Sequence, residues 1–105
     1  MIDVRDLFER TDEFAGKSVR LGGWIRTNRD NKNFGFLVIN DGTYQNPVQV
    51  VYHDTMENFT EVAALNVGAA VIVTGEVTLT PEAKQPFEIQ AQSVEIEGAS
   101  DEKYP

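Results

Sequence analysis

Residues 18–52 read SVRLGGWIRTNRDNKNFGFLVINDGTYQNPVQVVY, a stretch in which three apolar runs are separated by polar turns. In the first run Val19, Leu21 and Ile25 alternate with other residue types. A period of two predicts strands that have one buried side and one wet side. The three predicted strands cover Ser18 to Thr27, Phe34 to Asn40 and Val48 to Tyr52. The glycine pair Gly22-Gly23 suggests a bend or bulge in the first strand.

The flanking sequence adds two strands and two helices. Helical spacing predicts a short helix over Asp3 to Glu9, with Asp3 as a possible N-cap. A second, amphipathic helix is predicted over Met56 to Leu65, capped by Asp54 or Thr55. The remaining strands are predicted over Ala70 to Thr80, with Val71, Val73, Gly75 and Val77 inward, and over Phe87 to Ile96.

The order of these elements is strand, strand, strand, helix, strand, strand. Five strands with a helix between the third and fourth are typical of the OB-fold. We therefore predict an all-β protein, a five-stranded OB-fold Greek-key barrel preceded by a short N-terminal helix. Such barrels bind oligonucleotides on the face of the second and third strands. The barrel domain is expected to span residues 1–97.

Composition narrows the possible functions. A chain of 105 residues, 41% apolar and 25% charged, fits one globular domain. It has no cysteine, no signal-peptide pattern and no apolar run long enough to cross a membrane, so we expect a cytoplasmic protein. His53 is the one histidine, and neither a nucleophile–base pair nor metal-ligand spacing is present. We predict no catalytic residue, no metal site and no cofactor in this domain.

The charge is distributed unevenly along the chain. The net charge is −8, which by itself argues against binding to nucleic acid. From Lys17 to Tyr52, however, five basic residues face two acidic ones, so this segment carries +3 and the rest carries −11. A basic strip can steer RNA to one face of an acidic body. The alternative is that these are ordinary solvated strand residues.

The candidate RNA-binding residues lie in the same segment. Because aliphatic Leu37 and Ile39 are better core fillers, Phe34 and Phe36 are expected on the outer face, where bases could stack on them. They could instead cover a hairpin or the N-terminal helix. Phosphates would be held by arginine and lysine at the end of the first strand and in the polar loop that follows it. The basic candidates are Arg26, Arg29 and Lys32, and the polar loop residues are Asn28, Asp30, Asn31 and Asn33.

Gln49 is predicted to lie beside Phe36 on the outer face, because it alternates with Val48 and Val50. An amide offers both donors and an acceptor, so it can read the Watson–Crick edge of a base. Equally, Gln49 could be a plain solvent-facing residue. The loop between the prolines Pro81 and Pro86 separates the last two strands.

Several of these residues, in order, also resemble a known family. Gly23-Trp24-Ile25-Arg26, Arg29-Asp30, Phe36, Asp41-Gly42 and Val48-Gln49 are similar to the N-terminal anticodon-binding domain of class II aspartyl-, asparaginyl- and lysyl-tRNA synthetases. Three further segments resemble the bacterial asparaginyl type. They are Asn40-Asp41-Gly42-Thr43 with its loop to Pro47-Val48-Gln49, residues 71–77, and residues 87–91.

The resemblance implies a role for each matching residue. Phe36 would stack on the central anticodon uridine, Gln49 would hydrogen-bond that base, and Arg29 would hold the backbone or a base. The loop with Glu82, Lys84 and Gln85 would face the outer anticodon bases. The partner would be the anticodon loop of tRNA(Asn). Residues 98–105 would begin a linker to an absent catalytic domain that uses ATP and Mg²⁺, in a homodimeric parent enzyme, and the isolated domain would be monomeric.

Other interpretations remain open from the residues alone. Lys32-Asn33-Phe34-Gly35-Phe36-Leu37 resembles a segment of cold-shock domains, which would make the chain a stand-alone single-strand binder. Cold-shock domains lack the predicted helix after the third strand. The acidic balance would suit an OB-fold protein-interaction module. An aspartyl or lysyl parent would change the anticodon and keep the mechanism.

Overall fold

The computed structural model describes residues 1–81 and 85–98. The elements are α1 (Val4–Glu9), α2 (Thr11–Phe14), β1 (Ser18–Asp30), β2 (Phe34–Asn40), β3 (Val48–His53), α3 (Phe59–Ala63), β4 (Ala70–Leu79) and β5 (Phe87–Gly98). The strands form a closed barrel in the order β1-β2-β3-β5-β4. All neighbours are antiparallel except β3 and β5, which pair in parallel. The predicted OB-fold is confirmed.

The barrel interior follows the period of two read from the sequence. Leu37 and Ile39 are fully buried, whereas Phe34 and Phe36 remain half-buried on the other side of β2. The inward side of β4 is also as predicted, with Val71, Val73, Gly75 and Val77 all buried. Residues from α1, α3 and each strand fill the core: Val4, Leu7, Val19, Leu21, Ile25, Val48, Val50, Tyr52, Val62, Phe87, Ile89 and Val94.

The bulge predicted at Gly22-Gly23 is not there, because β1 pairs regularly with β4 from Ser18 to Trp24. The irregularity in β1 lies at Arg26. Ile25 pairs with Ile39 and Thr27 pairs with Val38, so Arg26 is the extra residue of a β-bulge. Gly23 has a different role, because a Cβ there would lie 2.6 Å from the carbonyl oxygen of Asn40. The bulge reverses the alternation of β1, so residues after it face the opposite side from those a regular strand would present.

The two predicted helices differ in detail from the structure. Asp3 is the N-cap of α1, but its side chain makes no capping bond. The amide of Val4 donates instead to Asp41 Oδ2 at 2.9 Å, from the end of β2. The second helix is shorter than predicted, because residues 54–58 form turns and α3 begins after Asn58, not after Asp54 or Thr55. Asn58 Nδ2 donates to the carbonyl of Val94 at 2.8 Å and so ties this turn to β5.

Asn28 was predicted in a polar loop, but it lies in β1, which extends to Asp30. Its Nδ2 donates to the carbonyl oxygens of Val62, Ala63 and Leu65 at 2.9, 3.3 and 3.0 Å. Its Oδ1 accepts from the hydroxyl of Tyr52 at 2.8 Å. Asn28 therefore fastens the end of α3 to the barrel.

Tyr52 fills the space beneath β2 that a side chain at position 35 would need. A Cβ on Gly35 would overlap the Tyr52 ring. Burial, with the nearby Asp30 carboxylate, raises the pKa of the Tyr52 hydroxyl to about 12. The hydroxyl is therefore a neutral donor to Asn28 over the whole neutral range.

Candidate nucleic-acid interface

Two rows of side chains cross the outer face of β1, β2 and β3. In the first row Arg29 pairs with Phe36, and Phe36 pairs with Val51. In the second row Thr27 pairs with Val38, and Val38 pairs with Gln49. Paired residues on antiparallel strands lie about 4.5–5.5 Å apart. The pairing therefore brings the three central candidates, Arg29, Phe36 and Gln49, onto one surface.

A groove of about 320 Å³ lies between these rows, lined by Thr27, Arg29, Phe36, Val38 and Gln49. Thr27 and Val38 contribute short side chains to this lining, and Arg29, Phe36 and Gln49 contribute longer ones. A volume of this size is at the small end of ligand sites, of roughly 300–1,000 Å³, and it suits one planar ring better than a large molecule.

Phe34 supports Phe36 from the side. The two rings meet edge to face, with centroids 5.4 Å apart and an interplanar angle of 88°. Phe34 also lies 6.5 Å from the His53 ring. Since Phe34 is absent from the groove lining, the structure makes Phe36 the ring at the groove and Phe34 its lateral packing partner.

The bulge at Arg26 decides which basic residues reach this face. Continued regular alternation from Ile25 would turn Arg29 inward, but the extra residue turns Thr27 and Arg29 outward. Arg26, Arg29 and Lys32 are all exposed. Within residues 1–81 and 85–98, the ion pairs involve Arg5, Arg10 and Arg20 and none of these three cations. Their charge is therefore available to an anionic ligand.

The second row continues onto β5, where it reaches a residue that the sequence analysis did not select. Val50 pairs with Ile89 in the parallel ladder, so Gln49 and Glu88 are neighbours on the outer face. Gln49 Nε2 donates to Glu88 Oε2 at 3.4 Å. Glu88 therefore places a negative acceptor beside Gln49, which adds polar recognition next to the aromatic and cationic parts of the groove.

A family model for the tRNA anti-codon OB-fold nucleic acid binding domain matches residues 19–97. The chain belongs to this family. Its predicted resemblance to asparaginyl-tRNA synthetases is also confirmed, since the asparagine–tRNA ligases of Alkaliphilus oremlandii and Clostridium acetobutylicum are each 48% identical over 102 residues. Those matches cover 97% of this chain but 22% of the ligases, so the chain spans about a fifth of their length.

Solved structures include one similar asparaginyl-tRNA synthetase and a more distant protein that shares the fold. The asparaginyl-tRNA synthetase of Pyrococcus horikoshii, solved with asparaginyl-adenylate, superposes with a TM-score of 0.81 and 30% identity. That superposition covers 96% of this chain and 23% of the synthetase. An OBody bound to hen egg-white lysozyme has a TM-score of 0.75 at 18% identity, with 95% and 97% coverage, and shares the fold alone.

The loop between β4 and β5 is only partly described in this anticodon-binding domain. Glu82 and Lys84, two predicted RNA contacts, lie outside the described residues. Gln85, the third, donates through Nε2 to the carbonyl of Pro47 at 3.1 Å. Its Oε1 is buried without a hydrogen-bond partner among residues 1–81 and 85–98. Gln85 thus links this loop to the start of β3, and its part in binding RNA stays a prediction.

Glu88 could have been identified from the sequence by one further step. Phe87 and Ile89 alternate with Glu88 and Gln90, and because Phe87 and Ile89 are buried, the two polar residues lie on the outer face. The missing information was that β5 lies beside β3 in the closed barrel. Strand order is a property of the fold and not of the local pattern, so the alternation alone could not place Glu88 next to Gln49.

Among the described residues, no helix is long and apolar enough to span a membrane.

Proposed function

We propose that this domain recognises the anticodon of tRNA(Asn) as part of an asparagine–tRNA ligase, without carrying out any reaction itself. The observation that carries the proposal is the single groove in which Arg29, Phe36 and Gln49 meet. A ring, an amide and an unpaired guanidinium are the three groups that a single-stranded RNA site combines.

The Phe36 ring is proposed to stack on the central anticodon base, as the family resemblance implies. Stacking on an aromatic side chain contributes about 1–3 kcal/mol per base and tolerates any base. The specificity must therefore come from polar groups at the edge of the same base. Gln49 lines the groove two residues from the pairing partner of Phe36, within reach of such an edge.

Arg26, Arg29 and Lys32 form no ion pair among residues 1–81 and 85–98, and they are proposed to hold the phosphates on both sides of the stacked base. Arg26 and Arg29 lie in the second half of β1, Lys32 lies in the turn that follows it, and Arg29 pairs with Phe36. Although the chain carries −8 overall, a local cluster of unpaired cations attracts the RNA backbone at this face.

The remaining parts of the proposal concern the ends of the anticodon and the whole protein. The β4–β5 loop, with Glu82, Lys84 and Gln85, is proposed to contact the outer anticodon bases. The ATP- and Mg²⁺-dependent ligase reaction is assigned to a part of the parent protein outside this chain. We infer a cytoplasmic, homodimeric parent and a monomeric isolated domain.

The first test is binding of this domain to an anticodon stem-loop that carries GUU, measured by calorimetry or fluorescence anisotropy at low salt. A stem-loop with adenosine in place of the central uridine is the RNA control. The protein variants are Phe36→Ala and Gln49→Ala, with Gln45→Ala as the matched control because Gln45 is an exposed glutamine in the β2–β3 loop.

The proposal predicts that the GUU loop binds at least about tenfold more tightly than the adenosine loop, the effect of one or two unmade hydrogen bonds. Phe36→Ala should weaken binding to every loop, Gln49→Ala should remove the preference, and Gln45→Ala should change neither. Equal binding of all RNAs would favour a generic single-strand binder, such as a cold-shock-like domain. An absence of binding at low salt, also with a chain extended into the parent ligase, would favour a protein-interaction module.

A further inference from the structure

A chain of polar side chains runs from Gln49 away from the groove, across the outer face of β3 and β5. Gln49 Nε2 donates to Glu88 Oε2 at 3.4 Å, and Gln90 Nε2 donates to Glu88 Oε1 at 2.8 Å. At its far end, His53 Nε2 lies 3.3 Å from Gln90 Oε1. We call the set Glu88, Gln90 and His53 the polar relay. The proposed function gives these three residues no part.

The Glu88 carboxylate determines which group donates in each hydrogen bond of the polar relay. An ionised carboxylate accepts hydrogen bonds and donates none, so Gln49 and Gln90 must both turn their amide nitrogens toward Glu88. Gln90 Oε1 then faces His53, and only a protonated Nε2 can donate to it. The polar relay is therefore complete when His53 is in its Nε2–H tautomer or is protonated.

This direction has a consequence for the groove. A free glutamine amide rotates about its last torsion and can present either its oxygen or its nitrogen. With its nitrogen held by Glu88, Gln49 presents Oε1 as an acceptor at the other end of the amide. Uracil and guanine carry a ring N–H at the Watson–Crick edge, whereas cytosine and adenine carry a ring nitrogen that accepts.

We propose that the polar relay orients the Gln49 amide so that the groove selects a base with a ring N–H over one with a ring-nitrogen acceptor. Gln90 and His53 are positioning residues in this scheme, because neither lines the groove. They act through Glu88: Gln90 holds the Glu88 carboxylate where Gln49 Nε2 reaches it, and His53 holds Gln90. The inference rests on the proposed function. It gives Gln90 and His53, which do not contact the base, a part in the choice between uridine and cytidine.

The test compares stem-loops whose central base is uridine or cytidine, which have the same ring size and opposite hydrogen-bonding patterns. The native domain should prefer uridine by about tenfold. Gln90→Met and His53→Phe should bring the ratio toward one, while the affinity for the uridine loop changes less than about threefold. His53→Gln keeps a side-chain donor and should restore the preference. Phe36→Ala should weaken both loops and leave the ratio unchanged.

Nuclear magnetic resonance of the ligand-free domain tests the polar relay without RNA. Nitrogen shifts of the His53 ring should report a proton on Nε2. The side-chain amide protons of Gln49 should exchange positions slowly in the native domain and faster in Gln90→Met. Unchanged uridine-to-cytidine ratios in both relay variants would overturn the proposal, as would a His53 ring that carries its proton only on Nδ1.

The binding comparison and the nuclear magnetic resonance measurement together distinguish a failure of this proposal from a failure of the proposed function. If neither the native domain nor a chain extended into the parent ligase binds a stem-loop at low salt, the anticodon assignment fails, and the ligand-free spectra still decide whether the Gln49 amide is held. A mobile amide would then overturn the inference as well. If RNA binds with a preference for uridine that the relay variants do not alter, the anticodon assignment stands and the inference is wrong.

Discussion

The two halves of β1 belong to one strand but differ in whether their exposed arginines form ion pairs. Residues Ser18–Trp24 pair with β4, and Arg20 there forms an ion pair with Glu95 at 2.9 Å. Residues Trp24–Asp30 pair with β2, and Arg26 and Arg29 in that half form no ion pair with the part of the chain that is described. In the first half, the charge of Arg20 is balanced by Glu95. In the second half, the charges of Arg26 and Arg29 are available to an anionic ligand.

This difference between the two halves of β1 shows that the exposure of a cation is not enough to identify a binding face. Arg20 and Arg29 are both exposed, both lie in the basic strip, and cannot be told apart by composition. What separates them is that Arg20 forms an ion pair with Glu95, whereas Arg29 lies opposite the aromatic ring of Phe36. The following variants test this contrast.

The largest expected effect is on stability and comes from Asn28, in the half of β1 that pairs with β2. Its side chain is held by hydrogen bonds within the fold. Asn28→Ala leaves the carbonyl oxygens of Val62, Ala63 and Leu65 and the Tyr52 hydroxyl without this partner. We expect a loss of about 2–3 kcal/mol in the free energy of unfolding, measured by urea denaturation. Asn33→Ala, at an exposed position in the adjacent turn, is the control. A loss equal to that of the control would refute the structural role of Asn28.

Aromatic residues give the next largest contrast. Phe36→Ala should weaken binding to the GUU stem-loop by about 5- to 140-fold, the equivalent of about 1–3 kcal/mol of stacking. Trp24→Ala removes an aromatic ring that is more exposed, at 46%, but lies outside the groove. Its effect on affinity should stay within about twofold. Comparable losses from the two variants would mean that the binding surface extends beyond the groove.

Salt dependence separates the two arginines. Arg29→Ala should reduce the slope of log affinity against log salt by about 0.7, the value for one phosphate contact on a single strand. Arg20→Ala should leave the slope unchanged, since its guanidinium is already paired with Glu95. Both slopes come from titrations of the same stem-loop at several salt concentrations. Equal changes in slope would remove the distinction between the halves of β1.

The smallest effect at neutral pH, and a visible one in alkali, concerns Tyr52. Its hydroxyl has a pKa of about 12 in the fold, above the ordinary tyrosine value of 10.0. The folded state therefore keeps this proton while the unfolded chain loses it, so stability falls as the pH rises from about 10 through about 12. Tyr52→Phe should flatten this decline in denaturation curves recorded between these pH values. An equally steep decline in the variant would assign the alkaline sensitivity to other groups.

At low pH, the stability of the fold should depend on Asp41, which follows β2. Burial raises the pKa of Asp41, but hydrogen bonds from the Thr43 side chain and from the Val4 and Thr43 amides outweigh it and lower the pKa below 3.8. This contribution is present above 3.8 and is lost as the pH falls through the lowered value. Asp41→Asn should make stability less sensitive to pH in that range, as judged from denaturation between pH 2 and 5.

The alternation in the sequence was sufficient to predict the side on which most strand residues lie. In β2, Leu37 and Ile39 face the core and Phe36 faces out, and in β3 Gln49 faces out, as the period of two predicted. This works because alternation is a local property of extended backbone, independent of which strand lies next to it. The order of the elements also sufficed for the OB-fold, because few arrangements accommodate five strands with one helix in that place.

Tertiary structure decided the features that depend on neighbours distant in sequence. The bulge at Arg26, which turns Arg29 toward the groove, arises in the pairing of β1 with β2 and not from the glycine pair. The place of Glu88 beside Gln49 follows from the parallel pairing of β5 with β3. Asn28 binds carbonyls at the end of α3, 34–37 residues away along the chain. No local pattern encodes such contacts, because they exist only once the barrel has closed.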